Sequence, residues 1–110
     1  MTPTDILTDI RSAISDESSV RWVDATLRRY MLDGEVEIVN AHPEAQYGLR
    51  VSNSAPTLLA ANSDSFTVSS EYRTALIHYV AARVFGEDSD DAANAALSKM
   101  HFTLFTEALA

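Results

Sequence analysis

The chain contains no cysteine, and its 110 residues include three glycines, three prolines, one tryptophan and one lysine, Lys99. Without cysteine, disulfides and thiolate chemistry are excluded, and nothing implies an oxidising compartment. With glycine only at positions 34, 48 and 86, the usual Gly-rich phosphate cradle cannot be built. No stretch approaches the roughly 18–20 apolar residues that a membrane span requires. The acidic start Met1-Thr2-Pro3-Thr4-Asp5 has no signal-peptide pattern, so the expectation is a soluble chain made in a cytoplasm, away from any membrane. Basic residues are also scarce: eight Lys and Arg against sixteen Asp and Glu leave a formal charge of −8. That balance opposes direct phosphate binding, in which Lys and Arg neutralise the nucleic-acid backbone.

Apolar residues make up 46% of the chain and the mean hydropathy is near zero, as in globular proteins rather than disordered ones. The length suits a single domain spanning 1–110, able to bury roughly two-thirds of its chain surface. Periodicity predicts helices over about 3–15, 24–41, 70–85 and 89–109. The first opens with Thr2 as a cap, Pro3 at the first helical position and Asp5 as a capping-box acid. Ile6, Leu7, Ile10, Ala13 and Ile14 then form one apolar stripe. In the second, which starts at Asp24 just after Trp22, Leu27, Tyr30, Met31, Gly34, Ile38 and Ala41 recur on one face, and Asn40-His42-Pro43 end it. Gly34 costs about 1 kcal/mol relative to Ala inside a helix. Its position on the stripe suggests close approach by another helix, the competing reading being a break at Asp33-Gly34.

Residues 43–69 differ in character. Gly48, Pro56 and many Ser and Asn residues punctuate them, so no long helix is expected. Tyr47–Val51 and Phe66–Val68 read as two short strands flanking an exposed loop. The fold class expected is therefore mainly α: a four-helix, bundle-like domain with a short β-hairpin or irregular loop between helices 2 and 3. Gly86 should end the third helix, and the fourth should begin near Ser89 with Asp90 and Asp91 in its first turn. This last helix carries two apolar stripes: Ala93, Ala96, Leu97, Met100 and Leu104, and separately Phe102, Phe105 and Leu109. Only one stripe of a small bundle faces its core, so the other should meet the middle segment, another subunit or a partner.

Catalytic patterns are scarce. His42, His78 and His101 are not spaced as helical metal ligands, and no cysteine completes a zinc set. Glu87-Asp88-Ser89-Asp90-Asp91 fails as a calcium loop, because Ala92 and Ala93 stand at ligand and glycine positions. No serine lies in a G-x-S-x-G elbow. Glu35 and Glu37, two residues apart on a helix, point to different sides and form no acid–base pair. The expectation is a non-enzyme with no cofactor and no metal. Arg28-Arg29, the only basic doublet, is expected in salt bridges within or between subunits. Arg83, in a mostly apolar helix, needs a carboxylate or carbonyl partner, unless its stem snorkels to solvent.

Two blocks carry a resemblance. The first is Val20-Arg21-Trp22-Val23-Asp24-Ala25-x-Leu27, followed by Glu35-x-Glu37-Ile38-Val39 and His42-Pro43. The second is Glu71-Tyr72-x-x-Ala75-Leu76-x-x-Tyr79-Val80-x-x-Arg83, then Asp88-x-x-x-Ala92-x-Asn94 and Met100-His101-Phe102-x-x-Phe105-x-x-Ala108-Leu109. Together they resemble the head-to-tail adaptor, or connector, proteins of tailed bacteriophages, with Val23 where that family has a capping Ser or Thr and a shorter middle segment. The resemblance implies a virion structural protein in the neck, assembled as a dodecameric ring beneath the portal protein. Such a ring extends the DNA channel, lets DNA pass without specific binding and offers a platform to tail or nozzle proteins. On this reading the subunit-interface candidates are Phe102, Phe105, Leu109, Arg83, Arg28 and Arg29. The portal- or tail-contact candidates are Tyr47, Leu49, Arg50, Leu58, Leu59 and Phe66. The alternative is a small acidic regulatory protein, encoded by a phage or a bacterium, that binds a host protein.

Overall fold

The first helix begins where local chemistry places it. Thr2 is extended at the cap, its N–H donates to Asp5 Oδ2 at 2.8 Å, and Pro3 occupies the first turn. The computed structural model describes residues 2–14, 22–42, 59, 61, 66, 68, 70–87 and 92–109. Four α-helices follow one another: α1 (Pro3–Ala13), α2 (Asp24–Ala41), α3 (Arg73–Glu87) and α4 (Ala92–Leu109), with a 3-10 turn at Ser70–Tyr72 leading into α3. The domain is mainly α and bundle-like. The expected β-hairpin is not borne out, since none of the described residues belongs to a strand; Tyr47–Val51 lies outside them.

α3 is the spine of the fold, because α1, α2 and α4 all pack against it. Its sequence suits that position: Ala75, Leu76, Tyr79, Val80, Ala81, Ala82 and Val84 are buried, more than one face of a helix. Ile6, Leu7, Ile10 and Ile14 meet Leu27, Tyr30, Met31 and Ile38 in the core, as the stripes predict; Ala13 and Ala41 are exposed. Helix α2 runs unbroken through Asp33-Gly34. A Cβ at Gly34 would stand 2.8 Å from Leu76 Cδ1 and 2.9 Å from Tyr79 Cδ1, so the glycine provides close approach of α2 to α3. Helix α3 continues through Gly86 to Glu87, one turn-residue beyond the expected stop.

Two buried charged residues fix the outer elements. Arg11, in the last turn of α1, donates to the Trp22 carbonyl at 2.9 Å and to the Asp24 carboxylate, tying α1 to the start of α2. Val23 offers no side-chain cap there, and this bridge holds the helix start instead. Glu35, fully buried on α2, accepts the Val68 N–H at 2.9 Å. Leu59, Phe66 and Val68 thereby join the core, and Arg28 Nε donates to the Leu59 carbonyl at 3.2 Å.

Candidate functional site

Helix α4 carries the surface of greatest interest, and its two apolar stripes do not divide cleanly between core and surface: Leu97, Leu104 and Leu109 are half-buried and Phe102 is exposed. Ser98 and Phe105 are its buried residues, while Ala93, Ala96 and Met100 of the stripe expected in the core are exposed. Polar contacts share in setting this face. Ser98 Oγ donates to the Ala82 carbonyl at 2.8 Å, and His78 Nδ1 lies 3.1 Å from His101 Nδ1. These contacts help turn the Ser98–His101–Phe105 face toward α3, and hydrophobicity alone does not register them. An antiparallel hairpin sets residues with similar position sums against each other, and 78 with 101 and 82 with 98 satisfy that rule.

The expected interface residues therefore divide. Phe105 is 8% exposed and packs edge-on against Tyr79, their centroids 5.2 Å apart; it belongs to the chain's own core. Phe102 is 40% exposed and meets Tyr79 at 6.0 Å, nearly perpendicular. Leu109 is half-buried, and its carbonyl accepts from His42 Nε2. Arg83 has partners within the chain: its Nη1 donates to Asp33 Oδ2 and to the Tyr79 hydroxyl, each at 3.0 Å. Its guanidinium also lies 4.6 Å from the Tyr30 ring centroid. Burial alone would lower its pKa, but the Tyr79 hydroxyl and Asp33 outweigh that and hold it raised. Arg28 turns to Leu59, whereas Arg29 is exposed. Of the portal-contact candidates, Leu59 and Phe66 are buried in the core and offer no docking surface. Tyr47, Leu49, Arg50 and Leu58 lie outside the described residues.

The two histidines form a pair that sequence spacing did not reveal. Their ring centroids are 5.3 Å apart, which exceeds the 3.1 Å nitrogen separation by close to two ring radii. The Nδ1 atoms thus face each other head-on, so that one ring donates and the other accepts, the roles being set by the tautomer. Phe85 stacks on His101 at 5.7 Å with the planes 13° apart. Burial, and then the neighbouring His78, hold the His101 pKa below its ordinary value. Among the described residues no group of three or more His, Asp or Glu gathers as a metal site. Tyr30 is shifted the other way: burial, then Glu87, raise its pKa.

The exposed side of α4 is built differently. It presents Ala92, Ala93, Ala96, Met100 and Thr103, and Lys99 and Glu107 are its only formally charged side chains. Met100 is 46% exposed. In a chain of charge −8, this is a neutral, small-residue and apolar surface on a helix that packs chiefly on α3. Among the described residues, no helix is long and apolar enough to cross a membrane. The fold and this surface define a mainly-α, bundle-like domain with one apolar helix face open. Comparison with known protein families, curated proteins and solved structures finds no match.

Proposed function

We propose that the chain is a virion structural protein, a head-to-tail adaptor that assembles as a ring beneath the portal of a tailed bacteriophage. The observation that carries this reading is the outer face of α4, which sits on the helical hairpin bearing the second block of the resemblance. A neutral apolar face on a strongly acidic chain suits self-association, because elsewhere like charges push copies apart. Exposed small residues allow close helix approach, and Met100, 46% exposed, supplies a large apolar side chain of the kind enriched at interfaces. The adaptor acts mechanically: α3–α4 hairpins stand side by side in the ring, DNA slides through the channel without being bound, and tail components seat on the outer platform.

The test is the native mass of the protein, alone and mixed with the portal ring encoded in the same genome. A stoichiometric shift of the portal is the expected result, and it gives the copy number directly. A protein that stays small beside an intact portal overturns the adaptor reading and favours a small acidic protein that binds a host target.

A further inference from the structure

We propose that the outer face of α4 docks on the outer face of α2 in a neighbouring copy, with the two helices antiparallel. This takes its biological meaning from the ring reading above and specifies which faces meet. On α2, Arg29, Val36, Glu37 and Asn40 are exposed and lie along one side of the helix; on α4, Ala96, Lys99, Met100, Thr103 and Glu107 do the same. Arg29 and Glu37 are eight residues apart, as are Lys99 and Glu107, which is about 12 Å along an α-helix. Antiparallel docking sets Lys99 against Glu37 and Glu107 against Arg29, two opposite-charge pairs formed together. Parallel docking at the same offset sets like charges together and is disfavoured.

The register is fixed further by the apolar residues. With both charge pairs formed, Met100 falls opposite Val36, two of the four exposed large hydrophobic residues in the described chain. Ala96 falls opposite Asn40 and Thr103 opposite Asp33, so no bulky side chains collide along the seam. Within one chain, α2 and α4 both turn their inner faces to α3, so each outer face is available to a different neighbour. The contact is heterologous, and such contacts close into rings when the rotation permits. A single helix pair buries less than the roughly 800 Å² per partner of a standard interface. Each contact is therefore weak alone, and ring closure, in which every copy makes it twice, stabilises the assembly.

The absence of native cysteine makes disulfide trapping a clean test. V36C and M100C chains are mixed in equal amounts and oxidised, and mixed V36C–M100C dimers should far outnumber both homodimers. A single chain carrying both substitutions should give a ladder of covalent multimers, while V36C combined with A93C, about two turns out of register, should not. In parallel, K99E or E37K alone should weaken assembly about tenfold or more by placing like charges together, and the two combined should restore it. Statistical cross-linking, or no ladder from a chain that still forms a ring with the portal, overturns this docking and leaves the adaptor reading standing. A ladder without any portal shift upholds the docking and overturns the adaptor reading. No ladder and no assembly overturns both.

Discussion

Gly34 sits directly under the ring of Tyr79: a Cβ on the glycine would lie 2.9 Å from Tyr79 Cδ1 and 3.2 Å from Tyr79 Cγ. That ring cannot swing aside freely, because Phe105 packs on it and its hydroxyl accepts from Arg83. Gly34→Ala gains about 1 kcal/mol in helix propensity but overpacks the α2–α3 contact, which typically costs about 1–3 kcal/mol. The expected outcome is a net loss of stability, read as a lower urea midpoint. A more stable variant shows that Leu76 and Tyr79 yield more easily than their packing indicates.

The two aromatic residues of α4 should separate cleanly. Phe105→Ala removes a buried ring and should cost about 3–5 kcal/mol, a large fraction of the 5–15 kcal/mol typical of whole domains. Phe102→Ala removes a ring that is already 40% exposed and should cost about 1 kcal/mol or less, in the range of one aromatic pair. Denaturant melts of the two variants, side by side, give the comparison. Equal losses contradict the orientation of α4.

The pH response should trace to His101. Its pKa in the fold is below its ordinary value, so the unfolded chain binds the proton more readily and stability falls as the proton becomes available. This contribution is fully present above the unfolded pKa of about 6.5 and is lost as pH drops from there through the lower, folded value. Urea midpoints between pH 7.5 and 5, in steps of about half a unit, should decline in the wild type. They should decline less in His101→Gln, which keeps a polar side chain but cannot take up a proton. An unchanged slope in the variant assigns the effect elsewhere.

The Arg83–Asp33 pair should contribute little by itself. Both side chains are partly exposed, at 30% and 44%, and such pairs couple by about 0.2–1 kcal/mol. A double-mutant cycle with Arg83→Met and Asp33→Asn should give a coupling in that range. Arg83→Met should cost more than Asp33→Asn, because it also removes the guanidinium from the Tyr30 face, worth about 0.5–1 kcal/mol at such a site.

The start of α1 and the end of α2 were legible in the sequence because their signals are local: Thr2-Pro3-Asp5 opens one, and Asn40-His42 marks the close of the other; α1 itself ends at Ala13, short of the expected 15. The close approach at Gly34 was legible too, since a glycine on an apolar stripe needs a packing reason. The facing of α4 was not. Its apolar residues go nearly all the way round, so periodicity leaves the choice of face open, and polar contacts share in it, here Ser98 with Ala82 and His101 with His78. Glu35 was equally hidden, because a glutamate two residues from Glu37 reads as surface until Val68 supplies its N–H. The same holds for Leu59 and Phe66, expected on a docking loop and found in the core; their burial depends on contacts with α2 far away in sequence.

Helix α4 is joined to the domain chiefly through α3 and buries only Ser98 and Phe105 deeply, so its hold on the domain runs through one neighbouring helix and few fully buried side chains. Few buried apolar contacts make an element a low-energy opening unit. Amide protons of α4 should therefore exchange before those of α1, α2 and α3, as one cooperative group. A neighbour seated on α4 would slow that exchange selectively, so assembly would finish the folding of the subunit as well as join it to the next.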